Sequence, residues 1–222
     1  MDQIHIIETK DGSSSLLNVS LNETYHSTHG AIQESKHVFI ETGLKPFLDC
    51  KKNELSILEI GFGTGLNALL TIQSAKQFPI KIYYETIEAF PLVSDIITNL
   101  NYPQLLNAED LFSQIHNSPW SEVEEITPNF KLNKRAVKLQ EAYLENEKFD
   151  LIYFDAFAPA KQPEMWELSI LTKIILAMKP NGIFVTYCAK GQLRRDLISL
   201  GLVVEKLPGP PGKREMIRAK KI

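Results

Sequence analysis

The sequence predicts an open α/β fold built on a mostly parallel sheet of seven strands, the last of them antiparallel. Three observations carry this. From Leu55 onward, apolar runs of strand length alternate with helical patterns, as in a parallel sheet covered on both faces. The first run ends in Gly61-Phe62-Gly63-Thr64-Gly65 and passes straight into a helix start, Leu66, Leu69 and Leu70. The final apolar runs, 202–206 and 215–219, flank the rigid Pro208-Gly209-Pro210-Pro211-Gly212 and read as an antiparallel pair.

The leader, 1–54, reads as an extension packed against the core. Weak alternation through Ile4, Ile6, Leu17, Val19 and Leu21 predicts a β-hairpin over 4–25. Tyr25-His26-Ser27-Thr28-His29-Gly30 is a polar loop, and a helix is expected over 33–50, with Gly43 and Pro46 kinking or splitting it. Strands at 55–60 and 81–88 lead into helices at 65–77 and 91–100, the second opened by Pro91. Residues 102–132 read as an irregular acidic insertion with short helices. Strands return at 135–140 and at 149–154, the latter a buried run that ends at Asp155. A helix over 165–178 is stopped by Lys179-Pro180-Asn181-Gly182; a strand at 183–187 and a helix at 192–200 precede the closing pair.

At 222 residues, with 44% hydrophobic and 23% charged residues, the chain has the composition of one soluble domain of comfortable size. No apolar run spans a bilayer and no basic-then-apolar leader opens the chain, so a cytoplasmic protein without a membrane partner is expected. Cys50 and Cys188 lie far apart and outside any C-x-x-C, which suits a reducing compartment. The five histidines form no H-E-x-x-H, so no metal is expected. Net charge is −3, yet from Lys190 onward nine basic residues face three acids, +6, which leaves −9 for the rest. A basic end on an acidic body is a way to place phosphate contacts on one face; a solvated surface with a lysine tail is the alternative.

In open α/β sheets the ligand lies beyond the carboxyl ends of the strands, and Glu59, Glu88 and Asp155 fall at or near such ends. The glycines alternate as G-x-G-x-G, not the G-x-G-x-x-G of a dinucleotide fingerprint, and no phosphate loop of the G-x-x-x-x-G-K type is present. Glycine lets the backbone approach a ligand, and the following helix aims its free N–H groups there. An ordinary glycine-rich βα turn is the alternative.

Glu59-x-Gly61-x-Gly63-x-Gly65 resembles the first motif of Rossmann-like S-adenosylmethionine (SAM) methyltransferases. Asp155-Ala-Phe-Ala-Pro-Ala-Lys-Gln-Pro-Glu-Met-Trp166 is similar to the signature of the MnmC-type tRNA methyltransferases. Other stretches agree with that family: Glu59-Ile-Gly-Phe-Gly-Thr-Gly-Leu-Asn67, Ile87-Glu-Ala-Phe-Pro91, Gln33-Glu-Ser-Lys-His-Val-Phe-Ile40, Arg194-Arg195 and Lys213-Arg-Glu-Met216. The resemblance implies a class I SAM methyltransferase domain at 55–222, in the stand-alone (MnmD-like) form without an oxidase domain.

It implies SAM held by Glu59, Gly61, Phe62, Gly63, Gly65, Asn67, Glu88 and Asp155, with Glu141 the only acid offered to the adenine. It implies an acceptor amine, the 5-aminomethyl group of a wobble (2-thio)uridine, met by catalytic Asp155 and Phe157. Pro159, Lys161 and Trp166 belong to the substrate loop, and Arg194, Arg195, Lys213 and Arg214 are expected to hold the tRNA anticodon stem-loop. A separate oxidase is the expected source of the amine. An aspartate of ordinary pKa, about 4, is a poor base for an alkylammonium, so Asp155 is assigned mainly to orientation and charge stabilisation unless burial raises it. The rival readings are a SAM methyltransferase of a small-molecule or protein amine and, further off, an NAD(P)-dependent oxidoreductase.

Overall fold

A computed structural model describes residues 4–50 and 52–222, so the first three residues of the 1–54 extension and Lys51 lie outside the described residues. The strands are β1 (Ile4–Glu8), β2 (Ser14–Asn18), β3 (Glu23–Thr24), β4 (Glu54–Ile60), β5 (Lys81–Glu88), β6 (Val123–Thr127), β7 (Phe130–Ala136), β8 (Phe149–Phe154), β9 (Met178–Thr186), β10 (Leu202–Pro208) and β11 (Glu215–Lys221). The main sheet has eight strands in the order β10-β11-β9-β8-β4-β5-β7-β6, not seven. Its centre is parallel, and β11 runs antiparallel to both β9 and β10. All six residues of β8 are buried, as a strand covered on both faces requires.

The eighth strand lies inside the expected insertion. β6 pairs antiparallel with β7 at the sheet edge, where Ile126 is its one buried residue, so V-E-E-I-T shows no alternation. β7 begins at Phe130, not 135, because its inward set is Phe130, Leu132 and Lys134. A charged residue in the third inward position masks the period of two. The Lys134 ammonium is satisfied there by the carbonyls of Ile115 and His116, at 2.8 and 2.9 Å.

Helices α1 (Ala31–Ser35) and α2 (Lys45–Asp49) are joined by π-helical turns over Lys36–Leu44, so the expected kink is replaced by widened turns. The Lys45 N–H donates to Ile40 O, five residues back. At Gly43 a Cβ would stand 3.0 Å from Val185 and 3.1 Å from Tyr153, so the small residue lets this helix lie close on the sheet. Helices α3 (Leu66–Ala75) and α6 (Glu109–Asn117) cover the same face, after the short α4 (Ser94–Ile97) and α5 (Tyr102–Leu106). The helix expected over 91–100 is reduced to the single turn of α4. Residues 165–178 divide into a 3-10 turn, Pro163–Trp166, and α7 (Leu168–Ala177). α7 and α8 (Gly191–Ser199) cover the opposite face through Leu171, Ile174 and Leu197. Lys179-Pro180-Asn181-Gly182 sits inside β9 as an irregularity, where the register passes from Phe149–Met178 to Leu151–Ile183.

The N-terminal hairpin carries a third strand, β1-β2-β3. It is pinned to the domain by Asn101, whose side chain accepts from the Ser14 N–H and donates to the Gly12 carbonyl. Ile4, Asn18, Glu23 and Thr24 of this small sheet line one cavity with Ile60 and Ile87 at the carboxyl ends of the central strands.

Candidate functional site

Pairing in register brings three strand ends together. Ile60 lies beside Ile87 and Phe154; the Gly61 N–H continues the ladder to Ile87 O at 2.9 Å, and the Asp155 N–H to Ile60 O at 3.0 Å. A Cβ at Gly61 (φ +91°) would lie 2.6 Å from the Asp155 carbonyl oxygen, so only glycine allows the two loops to touch. Above this floor opens a cavity of about 1460 Å³. That exceeds the usual few hundred to about 1,000 Å³ of a single-ligand pocket and gives room for two occupants.

One half is walled by sequence-local elements. Gly61, Phe62, Gly63, Asn67 and Glu88 line it, and Gln140-Glu141 face them from the loop after β7. Glu88 accepts from the Gly63 N–H at 3.1 Å and the Phe90 N–H at 2.8 Å, which fixes its carboxylate beside the turn. Phe90, 70% exposed, and Leu92 stand at the rim.

The other half is assembled from distant segments. Asp155 Oδ2 accepts from the Asn67 amide at 2.9 Å, and burial pushes the Asp155 carboxyl up to about 7, helped by the negative charge of Glu34 and opposed by Asn67 and the Lys213 ammonium. Phe157 meets Tyr25 edge to face, 5.0 Å between ring centres. The Lys213 ammonium lies 2.6 Å from Glu34 Oε1 and 3.6 Å above the centre of the Tyr187 ring. Tyr187 donates its hydroxyl to the Ala156 carbonyl at 2.8 Å, and buried His26 is pushed down to about 4, so it stays neutral.

Several expected site residues do not line this cavity. Glu59, expected as a cofactor contact, is fully buried beneath the turn. Burial drives its carboxyl up to about 8 against the Thr86 hydroxyl, with the Asp155 charge adding to the rise. Neither oxygen completes a hydrogen bond, although Thr86, Asn67 and Tyr84 face it. Gly65 lies behind the turn against His116. Trp166 is a strut: its indole N–H donates to the Phe157 carbonyl at 2.8 Å and its ring packs on Phe154. Pro159 does not line the cavity, though its neighbours Ala158 and Lys161 do. Lys161 does line the cavity, with its ammonium on the Leu21 carbonyl at 2.9 Å, clasping the N-terminal sheet.

Lys213, expected on phosphate, is instead committed inside the site. Arg194, Arg195 and Arg214 are exposed outside it, while Lys206 and Arg218 pair with Glu215 and Glu205. The reading of the residues assigned no role to Tyr25, His26, Glu34 or Tyr187. Glu34 stood inside a stretch quoted for family likeness; the others carry no local signal. Among the described residues no group of three or more His, Cys, Asp or Glu is placed to hold a metal ion, and no helix is long and apolar enough to cross a membrane.

A family model described as S-adenosyl-L-methionine-dependent methyltransferase matches residues 109–222. The chain is 29% identical over 227 residues to the tRNA 5-methylaminomethyl-2-thiouridine biosynthesis bifunctional protein MnmC of Leptospira interrogans, covering 88% of this chain and 32% of that protein. The protein of the same name from Pseudomonas aeruginosa is 29% identical over 230 residues, 93% of this chain and 34% of that one. The chain thus spans about a third of the length of these relatives. The crystal structure of MNMC2 from Aquifex aeolicus matches with a TM-score of 0.81 at 26% identity, over 99% of this chain and 70% of that chain.

Proposed function

The chain belongs to the S-adenosyl-L-methionine-dependent methyltransferase family, and on that footing we propose that it methylates the 5-aminomethyl group of the wobble (2-thio)uridine of tRNA. The relatives' printed names support that acceptor, and the product is the 5-methylaminomethyl nucleoside. SAM supplies a methyl group carried on a sulfonium.

The walls fit that donor. Gly61 and Gly63 keep side chains off the turn, Glu88 stands ready for the ribose hydroxyls, and Glu141 is the acid nearest an adenine position. Asn67 faces the same half and ties it to Asp155. Glu59 and Gly65 would act from below, by shaping the turn.

One observation carries the reading: Asp155 stands at the junction of the glycine turn and an aromatic-walled half large enough for a second ligand. A primary alkyl amine is protonated at neutral pH and cannot attack until its lone pair is freed. With its carboxyl raised to about 7, Asp155 is suited to accept that proton, a stronger role than an ordinary aspartate allows. The carboxyl so formed stays beside the nitrogen and holds its freed lone pair in place, and that positioning supplies rate. Phe157, edge-on to Tyr25, offers a face for the splayed uracil ring. Pro159, Lys161 and Trp166 hold the loop that carries it.

Exposed Arg194, Arg195 and Arg214 are the phosphate contacts of this reading, their planar forks suited to the anticodon stem-loop. Affinity for tRNA then falls steeply with salt. A separate oxidase supplies the amine, and the reaction is cytoplasmic, where tRNA is.

The test is to incubate the protein and SAM with tRNA from a strain lacking the late modification step, and to read the nucleosides by mass spectrometry. Conversion of aminomethyl to methylaminomethyl (thio)uridine is expected. Methylation of free amines or proteins but not of this tRNA would overturn the acceptor assignment.

A further inference from the structure

The ion pair at the back of the acceptor half has no place in the mechanism so far. Glu34 comes from α1, in the N-terminal segment, and is 6% exposed. Its Oε2 accepts from the Ser27 N–H at 2.6 Å and its Oε1 from Lys213 at 2.6 Å. Lys213 comes from the far end of the chain, in the turn before β11. Both line the cavity that Asp155 faces, and Lys213 lies on the ring of Tyr187, whose hydroxyl donates to the carbonyl of Ala156, the neighbour of Asp155 in the chain; charges of opposite sign placed there pull the Asp155 carboxyl in opposite directions. A buried carboxylate and a half-buried ammonium, drawn from residues 179 apart and set beside the reacting group, cost desolvation that a surface pair would avoid.

We propose that Glu34 and Lys213 are positioning residues of the acceptor site, balancing the charge around Asp155 so that it takes the proton of the incoming amine and holds the freed nitrogen toward the glycine turn. The proposal rests on Asp155 meeting an amine, as argued above. Glu34 raises the proton affinity of Asp155 and draws the cationic acceptor in; Lys213 lowers it and repels a second ammonium. Balanced, they leave Asp155 ionised enough to receive a proton near neutral pH yet basic enough to keep it.

The other groups around Asp155 do not substitute for the pair. Glu59 faces it from β4 beneath, raised by burial to about 8, so it carries a proton at neutral pH. Tyr84 on β5 and Tyr187 after β9 are raised further and remain neutral phenols. His26, from the N-terminal loop, is neutral above about 4. Cys188 is raised by burial and stays a thiol at neutral pH, and the Lys161 ammonium, on the loop that Asp155 opens, is held by the Leu21 carbonyl. Asp11 and Glu23 belong to the N-terminal segment; Asp11 acts on His26, and Glu23 acts on Tyr187.

The pair can be broken from either side with opposite results. Glu34→Gln keeps an oxygen for the Ser27 N–H and leaves Lys213 unbalanced; Lys213→Met keeps the stem over Tyr187 and leaves Glu34 unbalanced. The titration of Asp155, followed by NMR of carboxyl-labelled aspartate in the protein without tRNA, is expected to move down by about one unit in Glu34→Gln and up by about one unit in Lys213→Met. The double variant should return near the starting value. The acidic limb of kcat/KM with aminomethyl tRNA follows the same order, and SAM binding by calorimetry reports that each variant is folded. Equal or same-direction shifts in the two single variants would overturn the proposal. Opposite shifts of the Asp155 resonance without any methylation of tRNA would leave the pair's role standing and overturn the acceptor assignment instead.

Discussion

The two halves of the cavity are built in different ways. The half proposed for the donor takes its walls from the turn after β4 and the ends of β5 and β7, short stretches each adjoining a core strand. The half proposed for the acceptor takes Tyr25, His26 and Glu34 from the N-terminal segment, Asp155 and Phe157 from the loop after β8, Tyr187 from after β9 and Lys213 from before β11. A ligand shared by a whole family can be gripped by one local motif. A specific acceptor needs shape and charge that no single stretch supplies, and here the N-terminal segment, expected as mere packing, provides a wall. The contrast extends to the buried acids: Asp155 and Glu59 both have carboxyls raised by burial, but one opens to the cavity and the other is sealed beneath it.

The sharpest way to separate the halves is Asp155→Ala. Turnover should fall by about a thousandfold, because proton acceptance and positioning of the amine are lost together, while SAM affinity measured by calorimetry stays within about twofold. Equal loss of both would mean that the halves are not separable. The reverse pattern is expected of Gly61→Ala, in the donor half. An added Cβ at φ +91° meets the Asp155 carbonyl, and strain of this kind, about 1–3 kcal/mol, should weaken SAM binding roughly tenfold. Unchanged SAM binding in this variant would remove the glycine turn from the donor site.

The smallest effect concerns Glu59. Its folded-state pKa of about 8 stands above the unfolded 4.5, so the stability it contributes is fully present below about 4.5 and is lost as pH rises through about 8. Glu59→Gln mimics the protonated form without its titration. Its melting temperature should match the parent near pH 5 and exceed it by about 2 °C or more at pH 8.5. A variant less stable than the parent at high pH would mean that the ionised carboxylate is held by partners after all.

Much of the fold was legible because its signals are local. β4, β5 and β8 are mostly apolar runs of strand length, and a glycine turn into a helix has few other uses. The edge strand β6 was not legible, since a strand with one buried residue has no period to read, nor was the start of β7, where Lys134 occupies an inward position and is satisfied by carbonyls 18 and 19 residues away. Lys213 shows the same limit in the site: in sequence it is one cation of a basic end, and only the approach of Glu34 and Tyr187 turns it inward.

The sequence alone determined the alternation of the central strands with their helices, the glycine turn, and the placing of an acid at the end of β8, because hydrophobic period and backbone sterics act between near neighbours. The tertiary structure alone decided which acids face the cavity, which basic residue joins them, and that the N-terminal segment completes the wall. Burial and charge are set by whatever packs nearby in space, and spacing along the chain does not encode that.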